Sequence, residues 1–361
     1  MSSPLLHIMA EDTSAKAEII RLLDQASDAD LEAVLTVLRP TTLPSPHFCT
    51  PQSLDVESLG RTDFNLLKVC ETMGGLGTFM SVTHALATYY GLRVTLKCEE
   101  AVFSQFLQAI GSGYRQNPYH NALHAADVSQ SVHIMMLKGE IMHLSNMTPL
   151  SIAALFLSAY IHDYAHPGVN NKYLVKSAHE LALRYNDVSP LENYHLAQTF
   201  ALTRKPHLAI FNHLSDDDKI SIRAQMIKNV LATDMEVHFK LIEDAKRLAH
   251  DVSQQSNQNV TQPILIHFAD IANVMKTSEV MMQWGRWVNE EFFAQAEMER
   301  ELRLPPSFPF TRETASIVGN QKFFVEALAL PLFLPMVEVW PGLQELLDSI
   351  RENLRYLSIL A

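Results

Sequence analysis

An apolar, helix-favouring run that begins at Ala153 delivers His162, Asp163 and His166 and then stops at Pro167-Gly168. Three groups with metal-ligand chemistry inside a segment otherwise fit for burial are costly unless something binds them, because a polar group out of water needs a partner. His162 and His166 stand at i and i+4, so a helix through both would place them on one face, with the Asp163 carboxylate beside them. Imidazole nitrogen with carboxylate oxygen suits zinc, and Asp163 could also serve a harder ion such as magnesium or manganese. With 16 His in 361 residues, about 0.7 pairs at this spacing arise by chance, so the pair alone is weak support.

Two further constellations change the odds. Upstream, Tyr119 is followed by His120 and His124, again at i and i+4. Downstream, Asp270 sits three residues after His267 in a segment apolar from Ile264 to Ile271. Each alone has an ordinary explanation as a hydrogen-bonded core histidine or a capping aspartate. Together they point to one shared site. Histidines and carboxylates drawn from separated segments can leave coordination positions open, which is the condition for a catalytic rather than a structural metal site.

HNALHAADV (120–128), HDYAHPGVNN (162–171) and HFADIAN (267–273), in this order, resemble the metal motifs of the class I cyclic-nucleotide phosphodiesterase catalytic domain. The similarity continues through LALRYNDVSPLENYH (181–195), VLATDMEVH (230–238), QWGRWVNEEFFAQAEMEREL (283–302) and GNQKFF (319–324), roughly from Leu54 to Trp340. The resemblance implies a compact all-α single catalytic domain of about 14 to 16 helices, with a metal site at the base of a deep pocket. It implies that His124, His162, Asp163 and Asp270 hold a first ion, zinc, and that Asp163 bridges to a second, magnesium or manganese. His120 would be the general acid that protonates the departing 3′-oxygen. His166, Glu192, His195 and Thr233 match positions that hold ligands or bound waters.

The same resemblance assigns Tyr119, Asn273, Val288, Gln321 and Phe324 to the substrate. Gln321 would hold the purine edge between Phe324 and Val288, and Asn273 would favour adenine, with dual use of cyclic GMP open; Phe323 is expected to be core. Val274 replaces the proline that commonly follows this asparagine, and Ala165 stands where many relatives carry a carboxylate. The implied activity is hydrolysis of cyclic AMP, and of cyclic GMP as a second substrate, to the 5′-monophosphate. The competing possibilities are another His-Asp metal phosphohydrolase acting on nucleotides or linear phosphodiesters, and a cyclic-nucleotide sensor without turnover. A metallopeptidase is excluded because His179-Glu180 lacks the second histidine of HExxH.

The elements that must position these residues are helical. At 361 residues and 47% hydrophobic content the chain can bury a large core, and Gly is scarce at 12. Residues 1–53 are expected to hold a helical segment, 14–39, and a proline-rich linker, 40–53, ahead of a catalytic domain over 54–361. Segment 14–39 suits packing on the main domain, or else regulation or assembly, which leaves a homodimer open. Helical periodicity is expected over 62–73, 76–91, 99–114, 120–138, 149–163, 176–185, 192–202, 216–231, 235–251, 262–273, 277–300 and 313–330. PPSFPF (305–310) is expected to form a mobile loop and PLFLP (331–335) a turn.

Several function classes recede. A formal charge of −12 opposes broad attraction to nucleic acid or anionic lipid, and no direct membrane insertion is expected without a long apolar run. Three cysteines without metal-type spacing and an N-terminus without signal-peptide features suggest a cytoplasmic protein. The same acidity would repel an anionic substrate, a conflict that bound cations would resolve.

Overall fold

The computed structural model describes residues 51–251 and 258–361. The helical segment 14–39 and most of the linker 40–53 lie outside the described residues. Residues Cys49–Ala361 form one compact unit. Among the described residues there is no strand, and seventeen α-helical segments occur. Twelve have eight residues or more: α1 Leu66–Tyr89, α2 Glu100–Gly113, α3 Ala122–Lys138, α4 Pro149–Ile161, α5 Pro190–Leu202, α6 Asp216–Leu231, α7 His238–His250, α8 Gln258–Asp270, α9 Ser278–Glu301, α10 Ile317–Phe324, α11 Leu330–Val339 and α12 Gln344–Leu360.

Helix α3 is the hub, buried continuously from Ala122 to Met136. A helix without a polar stripe must be enclosed by others, and α1, α4 and α8 pack around it. Their starts follow local chemistry. Thr148 accepts from the Ser151 N–H ahead of Pro149, which loses only a donor that no helix bond would use. Ser215 caps α6, whose first turn carries Asp216, Asp217 and Asp218 at the positive end of the helix dipole.

A buried ion pair ties the hub to the chain that follows α8. The Lys276 ammonium, 1% exposed, is hydrogen-bonded by the Asp127 carboxylate and by Gln130 Oε1 at 2.8 Å. Burial lowers the Lys276 pKa, and Asp127 works against that shift. Asn353 on α12 grips the same turn through the carbonyls of Val274 (2.8 Å) and Lys276 (2.7 Å).

Several expectations need correction. The two helices expected at 62–73 and 76–91 are one element, α1, broken at Gly74, whose φ of 69° and ψ of 170° leave the helical region. The expected helix 176–185 is two short helices, Asn171–Lys176 and Glu180–Arg184, with Ala178 at φ 50° between them. PLFLP is no turn: Pro331 sits in the first turn of α11, and Pro335 lies inside it. Burial of Leu332, Phe333, Met336 and Val339 offsets the one bond Pro335 cannot donate, and a π-helical turn, Val325–Ala329, leads into α11. PPSFPF is tied down, since Ser307 N–H reaches Glu299 Oε2 at 2.8 Å, Lys176 reaches the Pro305 carbonyl at 2.8 Å, and Phe308 stacks on Phe292 at 4.2 Å.

Asp127→Ala should destabilise the protein by about 3–5 kcal/mol, because it strands a buried ammonium. Adding Lys276→Met should recover much of that loss. Urea midpoints of the wild type, both single variants and the double variant check this, and an Asp127→Ala midpoint equal to wild type would refute it.

Candidate metal centre and proton donor

Three helix ends converge on the site. Asn121 caps α3 by accepting from the N–H groups of Leu123 (2.9 Å) and His124 (3.2 Å), which sets His124 in the first turn. Helix α4 ends at Ile161 with His162 as its C-cap, and α8 ends on Asp270. His124 Nε2 lies 2.9 Å from Asp270 Oδ1 and 3.2 Å from His162 Nε2. His162 Nε2 is 3.2 Å from both Asp163 Oδ2 and Asp270 Oδ1. One ligand atom from each of His124, His162, Asp163 and Asp270 falls within a 4.8 Å span. The two His side chains are 2% and 0% exposed against 13% and 19% for Asp163 and Asp270, so the carboxylate side is the open one.

The helical placement inferred from spacing is wrong for both His pairs. The α4 helix stops before His162, and Ala165 at φ 62° and Gly168 at φ 79° turn the chain so that His166 returns to the site from a loop. His120 likewise precedes the Asn121 cap and is not on α3. Asn117 holds both loops, donating its amide to the carbonyls of His120 (2.9 Å) and His166 (2.8 Å).

Charge and burial show what the cluster requires. Burial alone would suppress ionisation of His162, yet Asp163 and Asp270 hold its pKa well above the usual histidine range. Burial opposes charge on Asp163 too, but His162 and then His120 keep it well below the ordinary carboxylate range. The carboxylates therefore call for positive charge, which a divalent ion supplies while displacing protons. The donor set fits such an ion. His162 Nδ1 donates to the Ala159 carbonyl at 3.0 Å, which leaves Nε2 as the lone-pair atom. His195 Nδ1 donates to the Tyr164 carbonyl at 2.6 Å, while its buried Nε2 has no hydrogen-bond partner and faces Asp163 Oδ1 at 3.6 Å. An orphaned lone pair so close to a carboxylate of the cluster would suit a water held by a cation.

Beside the cluster stands a residue that the motifs did not reveal. Glu291 on α9 accepts His120 Nδ1 at 2.6 Å through Oε2, and through Oε1 the backbone N–H groups of Tyr119 (2.8 Å) and His120 (2.7 Å). Burial pulls the His120 pKa down, but Glu291 and then Asp163 outweigh it and push it up to about 9. Burial raises Glu291 in turn, and His120 overrides this to bring it down to about 2. His166 stacks on His120 with ring centres 4.0 Å apart, and burial followed by the His120 charge holds it well below the usual histidine pKa.

The remaining expected residues are placed unevenly. Glu192 on α5 is buried, takes both Asn171 amide contacts (3.2 and 2.9 Å), and has a pKa raised to about 8 by burial and then Asp234. Thr233 spends its hydroxyl proton on the Val230 carbonyl at 2.8 Å. The Tyr119 ring packs 4.6 Å from His124, and its hydroxyl accepts from Asn273 Nδ2 at 3.4 Å. Gln321 on α10 is buried against α9, with Nε2 3.4 Å from the Met281 carbonyl. Val288 and Phe324 are partly buried against the same core. Phe323, expected in the core, is 66% exposed, because consecutive helical residues diverge by about 100° and Phe324 takes the inward position.

A family model described as 3′,5′-cyclic nucleotide phosphodiesterase matches residues 119–350. The chain belongs to that family. Similar to it are the dual specificity calcium/calmodulin-dependent 3′,5′-cyclic nucleotide phosphodiesterase 1B of Cricetulus griseus, 33% identical over 72% of this chain and 48% of that protein, and the 3′,5′-cyclic-AMP phosphodiesterase 4C of Rattus norvegicus, 33% identical over 83% of this chain and 58% of that protein. The chain thus spans about half the length of these curated relatives. The structure of LmjPDEB1 in complex with IBMX superposes with a TM-score of 0.80 at 26% identity, covering 89% of this chain and 98% of that one. The phosphodiesterase domain of the RhoPDE fusion protein from the choanoflagellate Salpingoeca rosetta gives 0.77 at 25% identity, covering 85% and 98%. The family is metal-dependent, in keeping with the His/Asp cluster. No helix among the described residues is long and apolar enough to cross a membrane.

The His120–Glu291 pair has a testable sign. His120 is raised above 6.5, so its contribution to stability is complete below that pH and is lost as pH rises through about 9. In metal-stripped protein, ring NMR should place the His120 midpoint near 9. Glu291→Gln should lower it by about one unit or more. An unmoved midpoint would show that the carboxylate does not hold the proton.

Proposed function

We propose that this chain hydrolyses 3′,5′-cyclic nucleotides to 5′-monophosphates and so ends cyclic-nucleotide signals, with cyclic AMP preferred and cyclic GMP as a second substrate. The observation that carries this is the hydrogen-bonded His120–Glu291 pair beside the His124, His162, Asp163 and Asp270 cluster, with the His120 and His124 rings 5.8 Å apart. We assign zinc to those four ligands and magnesium or manganese to a second position shared through Asp163, in accord with their nitrogen and oxygen donors. Such ions, when bound, supply Lewis-acid polarisation of the phosphoryl group and acidify water.

The protein's own residues do the rest. The departing 3′-oxygen is a poor leaving group, and His120 Nε2 donates a proton to it while Nδ1 stays anchored on Glu291. His195 Nε2, Glu192 and His166 orient water and the Asp163 carboxylate, and Thr233 supports that side of the site. Gln321 presents an amide donor and acceptor to the purine edge, with Phe324 and Val288 on its faces. Asn273 spends Nδ2 on Tyr119, and its buried Oδ1 has no partner, which suits the exocyclic amino group of adenine. Both cyclic AMP and dual-specificity enzymes stand among the relatives.

We further propose residues 54–361 as the catalytic domain, with 1–53 as an appended segment. The free thiols of Cys70 and Cys98 support a reducing, cytoplasmic setting.

Side-by-side turnover of cyclic AMP and cyclic GMP, with and without chelator and added magnesium, tests the activity. Release of 5′-monophosphate that chelator abolishes is the expected result, and none on either substrate would refute the proposal. Asp163→Ala should lose both turnover and bound metal, as read by elemental analysis. His120→Asn should slow turnover by roughly a hundredfold or more with metal retained. An equal loss on a substrate whose leaving group needs no proton would remove His120 from the acid role.

A further inference from the structure

We infer that Gly285 on α9 is the positioning residue for Gln321 and, through it, for recognition of the nucleotide base. A Cβ built on Gly285 would stand 2.7 Å from Gln321 Cδ, 2.8 Å from Cγ and 2.9 Å from Nε2. All three distances are closer than side chains tolerate, and all three belong to one residue. The Gln321 side chain therefore lies flat on bare helix backbone, in space that only a missing side chain leaves open. One turn earlier on the same helix, the Met281 carbonyl takes the Gln321 amide at 3.4 Å.

A second contact sets the register. Asn289 donates Nδ2 to the Gly285 carbonyl at 2.7 Å, and its Oδ1 accepts from Asn320 Nδ2 at 2.8 Å. Asn320 immediately precedes Gln321, so α10 is latched to α9 at the residue over which Gln321 must lie. The amide of Gln321 is thus aimed by main chain on two sides: the carbonyl of Met281 and the uncovered backbone of Gly285.

The consequence separates binding from stability. Gly285 has ordinary helical surroundings, and alanine is the better helix residue, so Gly285→Ala gains helix propensity. The atoms its Cβ meets, Cγ, Cδ and Nε2 of Gln321, all belong to one side chain and none to backbone, so Gln321 must change rotamer rather than the helix shift. A substitution that maintains or raises the melting temperature should therefore swing the Gln321 amide off the base.

This rests on the proposal that Gln321 grips the purine, and the experiment distinguishes the two. Gly285→Ala, Gln321→Ala and the double variant are compared by kcat and KM on cyclic AMP and cyclic GMP, metal content and melting temperature. The expected result is a KM raised roughly ten- to a hundredfold by Gly285→Ala, with kcat and metal content maintained and no loss of melting temperature. The double variant should then show no KM increase beyond that of Gln321→Ala alone. A raised KM for Gln321→Ala with an unchanged KM for Gly285→Ala would overturn the role of Gly285 and leave the base assignment standing. Additive KM increases would mean that the new methyl group meets the substrate directly, which also overturns it. An unchanged KM for Gln321→Ala would remove Gln321 from the base site, and Gly285 with it.

Discussion

Two imidazoles and two carboxylates brought within 4.8 Å of one another, in a largely buried space, are the constraint that the rest of the fold serves. Such a group is unfavourable without positive charge beside it, because buried carboxylates lose their water and need a partner. The helices reduce that cost by how they end. Helices α4 and α8 both present their C-termini at the cluster, where partial negative charge favours a cation. Helix α3 begins there, with Asn121 securing its first N–H groups. The buried pair of Lys276 and Asp127 then fixes the strand of chain after Asp270 against α3, so that Asp270 and His124 meet at 2.9 Å.

A hydrogen-bond relay extends this order outward. Ser307, in the loop after α9, reaches Glu299, which also accepts Gln295 Nε2 at 3.0 Å. Gln295 Oε1 accepts the Asn170 N–H at 2.8 Å, and the adjacent Asn171 holds the Glu192 carboxylate. Lys176 closes the circuit by binding the Pro305 carbonyl and the Ser307 hydroxyl. A loop that its proline content marks as irregular is therefore continuous, through side chains, with the buried Glu192 carboxylate. Phe308 and Phe310 reinforce it by packing on Phe292 and Phe293 of α9.

The helical class and most helix spans were legible because they rest on period and composition: α6 agrees at both ends with the expected 216–231, and the motifs named the four side chains that the fold gathers within 4.8 Å. What was not legible depends on tertiary partners. In Asn289-Glu290-Glu291 nothing marks which glutamate turns inward, yet Glu290 faces solvent and pairs with Arg312 while Glu291 is buried on His120. Lys276 and Asn117 look like surface residues until their partners, distant in sequence, are known. The i, i+4 spacing of His162 and His166 suggested a helix, and left-handed residues at Ala165 and Gly168 show why spacing alone misleads: convergence came from a turn. Helix α12 carries buried Leu346, Leu347, Ile350 and Leu357 at helical spacing, a pattern present in the sequence beyond the last of the motifs.

Histidine serves opposite purposes within a few ångströms here, and the partner of Nδ1 separates them. His162 and His195 donate Nδ1 to backbone carbonyls, which turns Nε2 toward the carboxylate side of the cluster; on His162 the Asp163 and Asp270 carboxylates favour a second proton there, one that a bound cation would displace. His120 donates Nδ1 to Glu291, whose full negative charge favours the doubly protonated ring. The same carboxylate also accepts the backbone N–H groups of Tyr119 and His120 through Oε1, which fixes its Oε2 in place for His120 Nδ1. His166 completes the separation: burial and then the stacked His120 hold its pKa well below the usual histidine range, and its Nδ1 accepts the Gly168 N–H at 3.0 Å. In a chain of net charge −12, an anionic phosphodiester needs positive charge where it reacts. The proposed hydrolysis would draw that charge from cations held by the His/Asp cluster and from the proton that Glu291 favours on His120.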